Sequence, residues 1–227
     1  MYTLKQIEKT LLNKGYLVYN QPNKLNVVGI RTKSNTSSTT FDDYIAYFFY
    51  DENGRMIGKV APATTDPSVY YLRDNPMVST GTAILKSGQY KDAYVIGTHA
   101  GKYTALVQRG GPVTVIRDND RNDLLNFFAN TQTGMFGINI HRASSNKNNV
   151  NVIGPDSAGC QVFRNEADFN EMMRLAQVSK AKYGNKFTYT LLDEMDDIKV
   201  RRNVGLLLAG VGLVGVGIYF YLKTRKK

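Results

Sequence analysis

The chain has 227 residues, with 29 Lys and Arg against 19 Asp and Glu for a formal charge of +10, two His, one Cys and no Trp. A single cysteine excludes an intramolecular disulfide and any multi-Cys zinc site, and two histidines exclude a His-rich metal centre, so neither metal nor cofactor is expected. Seven of the basic residues lie from Lys199 onward, where no acidic residue occurs, which leaves an excess of three for residues 1–198 and argues against a nucleic-acid partner.

The first fourteen residues lack the apolar core of a signal peptide. Leu4, Ile7, Leu11 and Leu12 recur at helical spacing until Gly15, which predicts a short amphipathic helix. Residues 24–31 read as a strand, 33–40 as a Ser/Thr/Asn loop, and 44–50 with 55–60 as a hairpin turning at Asp51-Glu-Asn-Gly54. Residues 61–74 carry two prolines and little periodicity. Residues 82–85, 93–98, 104–108 and 113–116 are β-prone runs separated by Gly-containing turns, the spacing of a small sheet or barrel.

Asp118-Asn-Asp120-Arg-Asn122 imitates the start of a calcium loop, but Asp123 stands where Gly is needed and Ala129 where Glu is needed. A polar turn leading into a helix-like stretch at 124–129 is expected instead. Two further strands are expected at 136–141 and 151–153, a helix capped by Asn165 with Phe169, Met172, Met173 and Ala176 on one face, and a closing strand at 187–192.

The run that opens at Val204 and closes at Leu222 holds nineteen residues without a charge, close to the ~30 Å needed to cross a hydrocarbon core. Arg201, Arg202, Lys223, Arg225, Lys226 and Lys227 bracket it, and Tyr219 and Tyr221 lie near one end. The expected organisation is a helix and β-rich part (1–60), a catalytic part (61–193), a linker (194–203), a transmembrane helix (204–222) and a basic tail (223–227). With three cations before the run and four after it, the tail is expected inside. Gly205 with Gly212, or Gly210 with Gly217, would permit helix packing in a homo-oligomer.

The chemistry-bearing stretch is Gly137-Ile-Asn-Ile-His141 followed by Ile153-Gly-Pro-Asp-Ser157-Ala-Gly159-Cys160. A thiol attacks a carbonyl as thiolate, so a nucleophilic Cys needs a base or imidazolium beside it. His141 and Cys160 could be brought together by one excursion of the chain, with Gly159 in a turn whose backbone N–H groups face an oxyanion. His99, in Gly97-Thr-His-Ala-Gly101, either lines the same cleft or is a structural surface residue.

A His after a β-prone run followed by Ser-x-Gly-Cys resembles the L,D-transpeptidase catalytic domain, whose signature is a His, a spacer and Ser/Thr-His-Gly-Cys. The likeness covers residues 137–163 and is closest to divergent, phage-type versions. It implies an α+β, mostly β sandwich or barrel, Cys160 as nucleophile, His141 as its base, Gly159 and Cys160 as oxyanion donors, and Ser157 stabilising the turn. Ala158 departs from the pattern at the second His, and Gln161 and Val162 replace the usual apolar residue and Arg, so Arg142 or Arg164 would have to bind the substrate carboxylate.

The expected function is therefore a membrane-anchored cysteine peptidase or transpeptidase acting on the peptide stems of bacterial peptidoglycan, in a bacterial membrane or the internal membrane of a phage virion. The rivals are a non-catalytic virion or membrane protein on the same fold, and a sortase-like transpeptidase. Papain-like and NlpC-like peptidases place Cys before His, and no His follows Cys160.

Overall fold

The computed structural model describes residues 2–32, 39–143 and 152–193, which build the compact unit Met1–Asp193. The loop at 33–38, the linker, the apolar run 204–222 and the basic tail lie outside the described residues. Among the described residues no helix is long and apolar enough to cross a membrane.

Helix α1 (Leu4–Asn13) starts in a reciprocal capping box between Thr3 and Gln6, which satisfies two backbone N–H groups that a first turn otherwise leaves open. Strands β1 (Asn26–Arg31), β2 (Asp43–Tyr50) and β3 (Met56–Thr64) form an antiparallel run. Then come β4 (Thr82–Leu85), β5 (Gly88–His99), β6 (Tyr103–Val107), β7 (Val113–Asp118), β8 (Thr131–Gly134), β9 (Ile140–Arg142) and β10 (Gln161–Phe163). Helix α2 (Glu166–Tyr183) and β11 (Phe187–Asp193) end the unit.

Eight strands close a barrel in the order β1-β11-β5-β6-β9-β10-β3-β2, and β4, β7 and β8 make a separate three-stranded sheet. The expected mostly β fold with few helices is what the chain adopts. The stretches 1–60 and 61–193 both supply strands to the one barrel, which abolishes exposed strand edges. Alternate residues of the barrel strands, among them Val27, Tyr47, Leu106, Ile140, Phe163 and Tyr189, join Phe169, Met172, Leu175 and Ala176 of α2 in one cluster. Residues of opposite parity, such as Val28, Ile30, Ala46 and Phe48, pack under Ile7 and Leu11 of α1.

Five local expectations are corrected. Strand β3 continues through Pro62 to Thr64, because Pro62 offers only its carbonyl, which accepts from Arg164 N at 3.0 Å. Residues 124–129 are not helical: Asn122 and Asn126 each accept a backbone N–H two residues on, at 2.7 and 2.9 Å, and Asp118 takes Asn126 N at 2.9 Å, so side chains replace the helical ladder. The strand expected over 136–141 is reduced to β9, because Gly137 takes φ +70 and turns the backbone out of extension. Of the strand expected over 151–153, Asn151 lies outside the described residues, and Val152 gives one bridge to Thr40. Asn165 does stand at the start of α2, but its side chain donates to Asp168 at 3.2 Å instead of capping.

Because the strands and the buried cluster close by Asp193, a fragment ending before Arg201 is expected to stay soluble and folded. Its circular dichroism should match the full chain's soluble part, with a single cooperative melt. Aggregation of that fragment would place the 194–227 segment inside the folding unit.

Candidate active site

The two short strands β9 and β10 pair in parallel, with Gln161 opposite Ile140, Val162 opposite His141 and Phe163 opposite Arg142. Phe163 and Ile140 join the main cluster, so by strand alternation Val162, His141, Asn139 and Cys160 share the opposite face. On that face Val162 packs with Phe41, Ala143 and Ile153, with Cys160 at the edge.

The β5–β6 hairpin supplies the other half of the site. His99 is opposite Tyr103 at its end, and the His99 ring stacks on His141 with centroids 4.0 Å apart and planes 18° from parallel. His99 therefore belongs to this site. Its Nδ1 lies 3.1 Å from Asn139 Nδ2, while the Asn139 side-chain carbonyl accepts Gln108 N at 2.9 Å and its backbone carbonyl accepts Gln161 N at 2.9 Å. Asn139 thus ties the hairpin to the strand that precedes the thiol. It was not singled out from sequence, although it sits in the same Gly-x-Asn-Ile-His segment.

His141 is 5% exposed. Its Nδ1 lies 2.8 Å from the Arg142 carbonyl and 3.3 Å from Tyr103 Oη. A carbonyl accepts only, so Nδ1 carries the proton and Nε2 holds the lone pair. Burial first, and the neighbouring His99 second, push the imidazole down to about 3, so the ring is neutral at pH 7. His99 is lowered as well, by burial and by Lys102.

Cys160 is half-buried, and its Sγ donates to the Gly137 carbonyl at 3.6 Å. Burial pushes the thiol up to about 11, against the pull of the Asn139 backbone N–H. This corrects the expectation of an activated thiolate, which would need a lowered value. Burial is the cause; in the strand register Cys160 is level with Asn139, one diagonal step from His141, a Cα separation of roughly 7–8 Å. The resting pair is a thiol and a neutral imidazole.

The turn before the thiol is built by Ser157, which is fully buried. Its Oγ lies 2.8 Å from the Asp66 carbonyl and 2.9 Å from the Cys160 carbonyl, and it accepts Gly159 N at 3.2 Å. Ser157 Oγ therefore ties three backbone groups together at the turn. Gly159 N–H is engaged by that oxygen, which corrects its assignment as an oxyanion donor in this state. Glycine is required at 159 for a steric reason: a Cβ there would fall 2.2 Å from the Ala83 carbonyl, at φ +116.

Arg142 stacks over Tyr103 at 4.5 Å and pairs with Glu166 at 3.4 Å. Arg164 lies beyond the far end of β10, four residues from Cys160, with a buried Nε that has no hydrogen-bond partner. Neither guanidinium points to the thiol through a described contact. No group of three or more candidate metal ligands occurs among the described residues.

The neutral His141 has a consequence for stability. From pH 6.5 down to about 3 the unfolded chain binds a proton at this residue and the folded chain does not, so acidification destabilises the fold by roughly 1.4 kcal/mol per pH unit. Asp66, pushed up to about 7 by burial, works in the opposite sense between its ordinary value and 7. Urea titrations of wild type and His141→Asn should isolate the histidine: their difference should slope through that window, and a pH-independent difference would show that the folded chain protonates His141.

No protein-family model matches the chain, and no curated protein matches it at a significant level.

Proposed function

We propose that this chain is a membrane-anchored cysteine peptidase or transpeptidase acting on the peptide stems of peptidoglycan. The observation that carries the reading is the continuous row Cys160, Asn139, His99, His141, which sets a half-buried thiol on the same sheet face as a neutral imidazole whose Nε2 lone pair is left for a proton. In the reaction, Sγ bonds to the stem carbonyl carbon and its proton passes to an imidazole. The C–N bond then breaks, the proton leaves with the amine, and water or a second amine releases the acyl group. A substrate carbonyl entering beside Cys160 would displace the Sγ contact with Gly137. The uncharged run 204–222 with its flanking cations supports anchorage in a bacterial or virion-internal bilayer.

A second reading, a non-catalytic membrane or virion protein, is favoured by the thiol raised to about 11 and by the engagement of Gly159 N–H with Ser157. A sortase-like enzyme would share the Cys chemistry but take a protein sorting peptide rather than a murein stem. Incubation with purified peptidoglycan, followed by mass spectrometry of released muropeptides, separates these. New stem termini mark a hydrolase, new cross-links a transpeptidase, and an unchanged profile at high enzyme sinks the murein reading.

A further inference from the structure

The loop between β7 and β8 displays apolar side chains that the barrel does not use. Phe128 is 99% exposed and Leu124 58%, and on the adjoining segment before β4 Met77 is 73% exposed. Such display normally relaxes by collapse onto the surface, but here the backbone is held outward. Asp118 and Asn126 bind the loop's N–H groups, Asn126 Nδ2 donates to Asp120 at 2.8 Å, and Arg73 Nη1 pairs with Asp123 at 2.9 Å, clamping the two segments together. An apolar tip whose backbone is held by hydrogen bonds is the form of a preorganised contact surface.

Its position identifies the occupant. Phe127, the residue before Phe128, lies under the Arg31 guanidinium at 5.1 Å, and Arg31 is the register partner of Asp193, the last described residue. The chain therefore leaves the barrel at the end where this loop sits. From Asp193 to the uncharged run at 204 there are ten intervening residues, a reach of at most about 35 Å. The Cys160 turn belongs to the same end, since Ser157 Oγ meets the Asp66 carbonyl and Asp66 pairs with Arg31 at 2.6 Å.

We infer that Phe128, Leu124 and Met77 are a lipid-bilayer contact that seats the Cys160 end of the barrel against the membrane. The inference rests on the anchored reading above, and it makes the substrate a membrane-proximal peptide. The loop carries no cationic excess, with Asp120 beside Arg121 and Asp123 paired with Arg73, which fits a zwitterionic surface and insertion by apolar burial rather than by charge.

The chain has no tryptophan, so Phe128→Trp is a solitary probe in the full chain, and Asn53→Trp in the β2–β3 turn is its counterpart at the other barrel end. Both are reconstituted into phosphatidylcholine vesicles with acyl chains brominated near the headgroup. The expected result is a blue-shifted emission for Phe128→Trp, quenched at least threefold more than Asn53→Trp. Equal quenching overturns the contact, and so does an emission shift that follows protein concentration at fixed lipid, which would make a second copy the occupant. Failure of the full chain to float with vesicles overturns the contact together with the anchor. Muropeptide release is scored separately, so an inactive chain whose Phe128→Trp probe is quenched fails the enzyme reading alone.

Discussion

Cys160→Ala should reduce muropeptide release to below about one thousandth of wild type, and His141→Ala by about a hundred- to ten-thousandfold, with the fold retained in the first case. The thiol is half-buried at the edge of a small cluster, so its removal should shift the melt by no more than about 1 kcal/mol. His141 is different, because its ring supports His99 at 4.0 Å and Nδ1 satisfies the Arg142 carbonyl, so His141→Asn is the control that keeps a donor there. If His141 serves as base, iodoacetamide should label Cys160 more slowly in His141→Asn than in wild type above pH 7. Since the resting thiol sits at about 11, both rates should still be rising with pH at 9. Equal muropeptide release by wild type and Cys160→Ala would remove Cys160 as the nucleophile.

The elements that were legible in the sequence are those whose pattern is local. The α1 stripe is read from spacing, the hairpin from its turn residues at Asp51-Glu-Asn-Gly54, and the runs at 82–85 and 113–116 from β-prone residues between Gly-containing turns. What was illegible depends on distant partners. Gln161–Phe163 is a strand only because β3 and β9 flank it, and three residues carry no period of their own. Strand β8, Thr131–Gly134, is polar and mostly exposed and is held by β7. At 124–129 the apolar spacing suggested a helix, and the Asn122 and Asn126 side chains won by offering the backbone closer partners.

At the candidate site the motif's residues lie on one sheet face, and the thiol is raised where a lowered one was expected. His141 and Cys160 share a face, and His99 joins them across about forty residues of chain, a proximity that only the β5–β6 hairpin and the barrel order produce. A lowered thiol value was inferred from having an imidazole nearby, yet burial turns the shift the other way. Asn139 carried a signal that could have been used: an amide between two β-branched residues in a strand-like segment has to find partners, and here they are His99 and Gln108.

Arg31→Ala should cost about 3–5 kcal/mol of stability above pH 7, a fall in Tm on the order of 10 °C, because it leaves carboxylates buried without their cation. Arg31 is 1% exposed, its Nε donates to Asp66 at 2.6 Å, and its Nη2 donates to the carbonyls of Thr65 at 3.2 Å and Leu85 at 3.0 Å. Asp43, equally buried, takes Thr32 N and Thr65 N at 2.8 Å each. Burial already holds Asp66 up at about 7 while Arg31 pulls the other way, so losing the guanidinium raises it further. A carboxyl raised in the folded state penalises folding above its folded value, and the penalty fades as falling pH protonates it. The difference between Arg31→Ala and wild type should therefore shrink from pH 8 to pH 5, and taking it pairwise at each pH cancels the His141 contribution. A residual loss should persist at pH 5 from the emptied volume and from the hydrogen bond lost at the Leu85 carbonyl, while the Thr65 carbonyl keeps Gln161 Nε2 at 3.2 Å. Asp66 also presents its backbone carbonyl to Ser157, so the same substitution should loosen the turn that carries the thiol and raise the iodoacetamide labelling rate of Cys160 at pH 8. A destabilised variant with an unchanged labelling rate would show that the Ser157 turn is held independently of the buried ion pair.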